Sequence, residues 1–228
     1  MSYNSFNYIS LIIIIIAIYL GYNQVSKLKI TNNELKILQT FDPEPEMIKE
    51  LLDNHQPIVI QKEIMFWKQF KLLLGKELEY IKNEIANNKE INYSEAIKKN
   101  LEVYNIPLTY DWNIDIRNVA LDVQSAIFFV KQDNYMQMFG CVAGEMRIII
   151  APPDQSKYLE PIMNLVSTVD ATATLNKEPV EMNYVEIIVR QGNMIYVPWG
   201  WFYFIYNGNN QKECVIIDCL DKSALTMF

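Results

Sequence analysis

Histidine is almost absent from this sequence of 228 residues, which contains only His55. Sites that need two imidazoles from one chain are therefore excluded, including two-histidine-one-carboxylate iron sites, three-histidine zinc sites and H-E-x-x-H protease helices. A Ser-His-Asp hydrolase would have to use this one histidine, and the sequence has no G-x-S-x-G motif. It also lacks the glycine-rich patterns G-x-G-x-x-G and the P-loop, so nothing indicates a phosphate-binding loop.

Cysteine is also scarce, and acidic side chains outnumber basic ones by 27 to 20. The three cysteines, Cys141, Cys214 and Cys219, are too few and too irregularly spaced for a secreted disulfide scaffold. They indicate buried free thiols in a reducing compartment, and a mixed zinc site with His55 has no paired-ligand spacing to support it. The net charge of -7 argues against nucleic-acid binding.

The first 26 residues contain no charged side chain and include the run ISLIIIIIAIYL. Extended to about residues 5–25, this stretch reaches the roughly 20 residues that a bilayer requires. A cleaved signal peptide would need a basic n-region and a small-residue cleavage site, and neither is present. A buried core helix is the other alternative. We therefore predict one N-terminal transmembrane helix that anchors the chain in a membrane.

Basic side chains follow this segment and none precedes it. Lys27, Lys29 and Lys36 keep the C-terminal body on the cytosolic side by the positive-inside bias. We divide the chain into a membrane anchor and stalk at 1–30 and a soluble domain at 31–228, with polar residues 23–40 leading into the domain.

The soluble body changes character along its length. Asp42 and Pro43 are typical of a helix start, and the sequence predicts a helix to about residue 54. The run PIVI predicts a strand, and two more helices are expected before an irregular stretch at 104–118. Short β-rich runs then follow: SAIFFV, QMFGCVA, MRIIIA, NYVEIIV, NMIYVP, WFYFIYN and ECVIIDCL. This order predicts an α+β fold with a β-sandwich or barrel core.

Three stretches of the body resemble a known family. PIVIQKEIMFWKQF, GEMRIIIAPPDQSKYL and EIIVRQGNMIYVPWGWFYFIYN resemble segments of JmjC and related cupin-like domains in the same order. The last is the most specific, because Gly192, Pro198 and Trp201 keep the family's spacing. The resemblance covers most of residues 40–220. It implies N-terminal helices on a double-stranded β-helix, the cupin or jelly-roll core.

The resemblance also implies Fe(II)- and 2-oxoglutarate-dependent oxygenation in the family. Its His-x-Asp pair falls on Lys131 and Asp133, its distal histidine on Tyr203, and the lysine that grips the co-substrate on Met146. A protonated ammonium does not ligate iron, a neutral phenol is a poor ligand, and a thioether does not neutralise a carboxylate. Only the aspartate survives, so we expect no metal and no cofactor, and we assign no catalytic residue.

Two interpretations of the vacated site stay open. Lys131, Asp133 and Tyr203 form a hydrogen-bonded ion pair in place of iron, or Lys131 extends to solvent while Asp133 caps a turn. The sequence thus predicts a membrane-anchored, catalytically inactive JmjC/cupin-like domain with a structural or protein-binding role. The alternative is an Fe(II)/2-oxoglutarate-dependent oxygenase or another enzyme with an atypical site. Heavy use of Ile, Asn and Lys indicates an AT-rich genome, such as that of a large DNA virus.

Overall fold

The fold is described from a computed structural model of the chain. It describes residues 3–28, 31–41, 44–61, 80, 83, 114–121, 126–134, 136–159, 182–207 and 214–221. The helices predicted after the strand PIVI, and most of the predicted insertion at 154–179, lie outside these residues.

The N-terminal segment forms one long helix, α1, over Tyr3–Leu28. Its apolar side chains face outward on all sides, and those from Ile12 to Ile16 are 51–60% exposed. Within the described part of the chain, no helix has both the length and the hydropathy needed to cross a membrane. The predicted transmembrane helix over residues 5–25 is therefore not supported.

The polar segment that follows α1 lies against the domain instead of forming a free stalk. Asn32 Nδ2 donates to the backbone carbonyl of Asn54 at 3.0 Å, and Glu34 Oε2 accepts from Gln56 Nε2 at 3.1 Å. Strand β1, Leu38–Phe41, then pairs in parallel with β2, Ile58–Gln61. The predicted stalk at 23–40 thus ends in a strand of the domain.

Helix α2 lies between these two strands, over Pro45–Asp53. It begins two residues later than the predicted start at Pro43, because Pro45 occupies its first turn and Glu44 precedes it in an extended conformation. Asp42, the predicted N-cap, lies outside the described residues. His55 ends the helix with φ 51°, and its backbone N–H donates to the Leu52 carbonyl.

Eight further strands complete two sheets in the described residues. They are β3 Ile114–Leu121, β4 Ala126–Lys131, β5 Met136–Ala143, β6 Glu145–Ala151, β7 Val185–Arg190, β8 Met194–Val197, β9 Phe202–Asn207 and β10 Cys214–Asp221. One sheet has the order β1-β2-β8-β5-β10-β3 and the other β4-β9-β6-β7. All predicted strand runs are confirmed. The predicted irregular stretch at 104–118 is wrong at its end, because β3 begins at Ile114 and pairs with β10.

The core lies between the two sheets, where side chains alternate in and out along each strand. In β6, Met146, Ile148 and Ile150 are fully buried, whereas Glu145, Arg147 and Ile149 are half-buried. They pack against residues of the facing sheet, including Phe139, Ile195 and Ile216. The strand itself was predicted from the short apolar run MRIIIA, and its burial pattern comes from the structure.

Candidate functional site

The end of the sandwich where β4, β8 and β9 meet is the place that the family resemblance assigns to the metal. Gln132, which follows β4, is bonded to the turn before β9: its N–H donates to the Trp201 carbonyl at 2.8 Å, and its own carbonyl accepts from Gly200 N–H at 2.7 Å. The turn is tight, because Gly200 has φ +82° and a Cβ there would lie 3.0 Å from Thr31 Cγ2. The two segments are therefore held in one rigid corner.

Lys131 and Asp133 do not point into this corner as a pair. Lys131 is half-buried and Asp133 is exposed. Within the described residues, neither side chain forms a hydrogen bond or an ion pair with the other or with Tyr203. Nor does Asp133 cap the turn, since Gln132 Oε1 accepts from both the N–H and the side-chain amide of Asn134. The predicted hydrogen-bonded ion pair is thus absent from the described residues.

Tyr203 lies inside the sandwich and belongs to a different polar group. It is 5% exposed, and its ring packs against that of Phe139 with centroids 5.0 Å apart. Gln137 Nε2 donates to Tyr203 Oη and to Asp218 Oδ1, each at 3.0 Å. We call Gln137, Tyr203 and Asp218 the interior polar group.

The interior polar group has one unsatisfied atom. Gln137 is 2% exposed, and its Oε1 has no hydrogen-bond partner within the described part of the chain. Because the Nε2 of the same amide serves Asp218, the amide cannot be flipped without placing two acceptors face to face. The orientation of Gln137 is therefore determined by the buried carboxylate.

Sequence reasoning missed Gln137 and Asp218. Each interrupts an apolar strand at an inward position: Gln137 precedes Phe139 and Cys141 on β5, and Asp218 follows Ile216 on β10. A polar residue in phase with buried neighbours was a visible signal. Strand pairing alone shows that the two are neighbours, since β5 and β10 are adjacent with Asp218 opposite Phe139.

The position that the family assigns to the co-substrate lysine is closed. Met146 is fully buried in the core cluster with Ile148 and Val189. The neighbouring Arg147 points to the outer face, where its Nη1 lies 3.0 Å from Glu186 Oε1. Tyr206 Oη also donates to Glu186, and this hydrogen bond lowers the pKa of the carboxyl. Because Arg147 and Glu186 are both more than a third exposed, this ion pair contributes little to stability.

The described residues do not suit a resident iron or zinc ion. No group of three or more His, Cys, Asp or Glu side chains able to hold a metal occurs among them. His55 lies after α2, and burial lowers the pKa of its imidazole, while its Nδ1 has no partner in the described residues. Its position offers no support for the hydrolase alternative.

The described residues form a β-sandwich of two facing sheets, with the chain passing repeatedly from one to the other between β3 and β10. The family model of the cupin-like domain matches residues 118–217. The JmjC assignment within this broad class remains a prediction.

Solved structures also resemble the chain at low identity. Drosophila melanogaster CENP-C bound to CAL1 is 13% identical, with 46% of this chain and 62% of that chain covered and a TM-score of 0.31. Lactobacillus farciminis oxalate decarboxylase in a formate complex is 7% identical, with 54% and 27% covered and a TM-score of 0.32. A dTDP sugar isomerase from Desulfovibrio desulfuricans is 11% identical, with 47% and 57% covered and a TM-score of 0.31. The chain thus spans less than two thirds of these proteins, and no curated protein matches it.

Removing the amide donor of the interior polar group tests how much it stabilises the fold. We expect Gln137→Leu to lower the free energy of unfolding by about 2–3 kcal/mol, because Asp218 keeps its burial and loses a donor. Tyr203→Phe keeps the ring packing and the donor to Asp218, so we expect about 1 kcal/mol. Urea denaturation measures both.

Gln191→Leu is the matched control, because Gln191 Nε2 donates only to the Val142 carbonyl from a half-buried position. We expect a loss of about 1 kcal/mol or less there. Equal losses for Gln137→Leu and Gln191→Leu would contradict the importance of the interior polar group.

Proposed function

We propose that this chain is a membrane-attached, catalytically inactive JmjC/cupin-like domain with a structural or protein-binding role. One observation supports the proposal: Met146 and Tyr203, which the resemblance aligns with the family's co-substrate lysine and distal metal ligand, are both packed in the core.

The chemistry of the donors supports the loss of the oxygenase reaction. Tyr203 Oη already accepts a hydrogen bond from Gln137, and a phenol with a pKa near 10 is a poor ligand when neutral. Lys131 offers an ammonium, which repels a cation. Met146 has no charge with which to hold a carboxylate. The residues present therefore do not fit iron with 2-oxoglutarate.

The test of inactivity uses the full chain, expressed in iron-supplemented medium and purified in detergent. We expect elemental analysis to find iron well below one equivalent. We also expect no succinate above background when the protein is incubated with Fe(II), ascorbate and 2-oxoglutarate. Stoichiometric iron together with turnover of 2-oxoglutarate would establish the oxygenase alternative instead.

Membrane attachment is proposed through α1, with the body on the cytosolic side. The exposed ring of isoleucine and leucine side chains supports it, because apolar surface of this extent is unfavourable in water. Tyr8, Tyr19 and Tyr22 are 65–72% exposed near the two ends of this apolar run, where amphipathic rings suit the membrane interface. The hydrogen bonds of Asn32 and Glu34 to the domain would then hold the body close to the bilayer.

If the chain has no catalytic activity, the ordered sandwich can still serve as a scaffold, which is a structural or binding role. Its outer face carries Tyr206, Arg147 and Ile188 side by side across three strands. Tyrosine and arginine are enriched at protein interfaces. Arg147 and Tyr206 both donate hydrogen bonds to Glu186, which restrains the two side chains before a partner binds. The viral origin rests on composition alone and stays a prediction.

A further inference from the structure

Two of the three cysteines lie together in the core although they are 73 positions apart in the sequence. Cys141 on β5 and Cys214 on β10 are both fully buried, with their Sγ atoms 3.9 Å apart. The Sγ of Cys141 also lies 3.4 Å from the Gly144 carbonyl oxygen, so this side chain leans toward the end of its strand. The two thiols thus face each other across adjacent strands.

An irregularity in the β5–β10 ladder underlies this approach. Ile216 pairs with Cys141, whereas Val215 pairs with Ala143, so Val142 has no partner of its own in the register. Such a bulge bends the strand and re-aims the side chains around it. The strand then ends at Gly144, an exposed residue with φ 80°. The thiol pair therefore lies just beneath a surface turn, where local opening costs less than in the middle of the sheet.

We propose that Cys141 and Cys214 are an oxidisable pair that closes to a disulfide between β5 and β10. A peroxide is the oxidant. One thiolate attacks a peroxide oxygen and becomes a sulfenic acid, while the departing hydroxide takes up a proton. The second thiol attacks that sulfur and releases water. Two thiols and hydrogen peroxide thus give one disulfide and two waters, and the Sγ separation falls from 3.9 Å to about 2.05 Å.

The surroundings of the pair make this reaction slow at neutral pH. The hydrogen bond with Cys214 and then burial raise the pKa of the Cys141 thiol well above its ordinary value, and Glu145 on β6 adds to this effect. The reactive thiolate is therefore a small fraction, which grows about tenfold per pH unit while the pH stays below the pKa. We expect the rate of oxidation to rise accordingly between pH 7 and pH 8.

Cys219 provides an internal control on the same strand. It is equally buried, but it lies five residues beyond Cys214 and its side chain points to the opposite face of β10 from Cys214 and Ile216. It pairs with Met138 and Ile116, neither of which is a cysteine. The proposal therefore excludes Cys219 from the disulfide.

The experiment oxidises the native full chain with hydrogen peroxide, then denatures it and alkylates the remaining thiols with N-ethylmaleimide. We expect intact mass to show one maleimide instead of three, and the loss of two hydrogens, both reversed by dithiothreitol. Peptide mapping of the wild-type chain should join the segments that contain Cys141 and Cys214. Cys219→Ser should still form the bond, and Cys214→Ser should not.

The proposal would be overturned if the chain still took up three maleimides after peroxide treatment and none of its cysteines had been oxidised. A mapped bond that includes Cys219, or one between two chains, would overturn it as well. The mapping uses only wild-type protein, so the outcome does not depend on whether a variant folds.

Discussion

Met146→Lys will lose at least about 3 kcal/mol of unfolding free energy or will not fold, although it restores the residue type that the family uses to hold 2-oxoglutarate. Met146 is fully buried between Ile148 and Val189, where an ammonium has no partner and must be desolvated. Urea denaturation at pH 7 measures the loss. Isothermal titration with 2-oxoglutarate should show no binding to any variant that folds.

Two controls separate charge from size. Met146→Leu conserves volume, and we expect a change below about 1.5 kcal/mol. Ile149→Lys places the same ammonium on the same strand but on its outer face, opposite Glu186, and we expect about 1 kcal/mol or less. A stable Met146→Lys protein that binds 2-oxoglutarate would show that the pocket is open, and the proposed inactivity would then fail.

Two lysines in α1 will abolish membrane association. Ile13 and Ile16 are 60% and 51% exposed and lie on one face of the helix, three residues apart. Each lysine near the centre of an inserted helix costs about 2.5–3.5 kcal/mol, so the double variant should bind vesicles at least about 100-fold more weakly. Co-sedimentation of the full chain with phosphatidylcholine vesicles containing phosphatidylserine measures the partition coefficient.

The controls for this experiment keep either the position or the charge. Ile13→Leu/Ile16→Leu retains the apolar surface and should bind like the original chain. Phe41→Lys introduces a charge at an exposed apolar residue of β1, and we expect no loss of binding. A full chain that stays in the supernatant, or a double-lysine variant that still sediments, would contradict membrane attachment.

Strands of the sandwich were predictable because short, β-rich apolar runs separated by turn residues are a local signal. In β6 the pattern of buried and half-buried residues has the period of two that a half-buried strand requires. β3 was missed because its residues include Asp115, Arg117 and Asn118, which look like a turn, and its place in the sheet comes from pairing with β10. The start of α2 was misplaced because two prolines stand two residues apart, and local sequence does not say which one begins the helix.

The candidate site, too, was predictable only in part. The family resemblance predicted which of the family's iron ligands this chain lacks, and it aligned Tyr203 with the distal ligand and Met146 with the co-substrate lysine. One of the two open interpretations joined Tyr203 with Lys131 and Asp133, and no hydrogen bond or ion pair links these side chains among the described residues. Tyr203 instead accepts a hydrogen bond from Gln137, 66 positions away, and Gln137 also donates to Asp218, 81 positions away.

The sequence by itself established the single histidine, the small number of cysteines, the excess of acidic over basic side chains, the apolar N-terminal run and the succession of short strands. Composition and local periodicity carry all of these. Only the tertiary structure decided that Gln137 serves a buried carboxylate and that Cys141 faces Cys214. The physical reason is that β pairing joins residues far apart in the chain, and a shift of one residue in register reverses which face each side chain occupies.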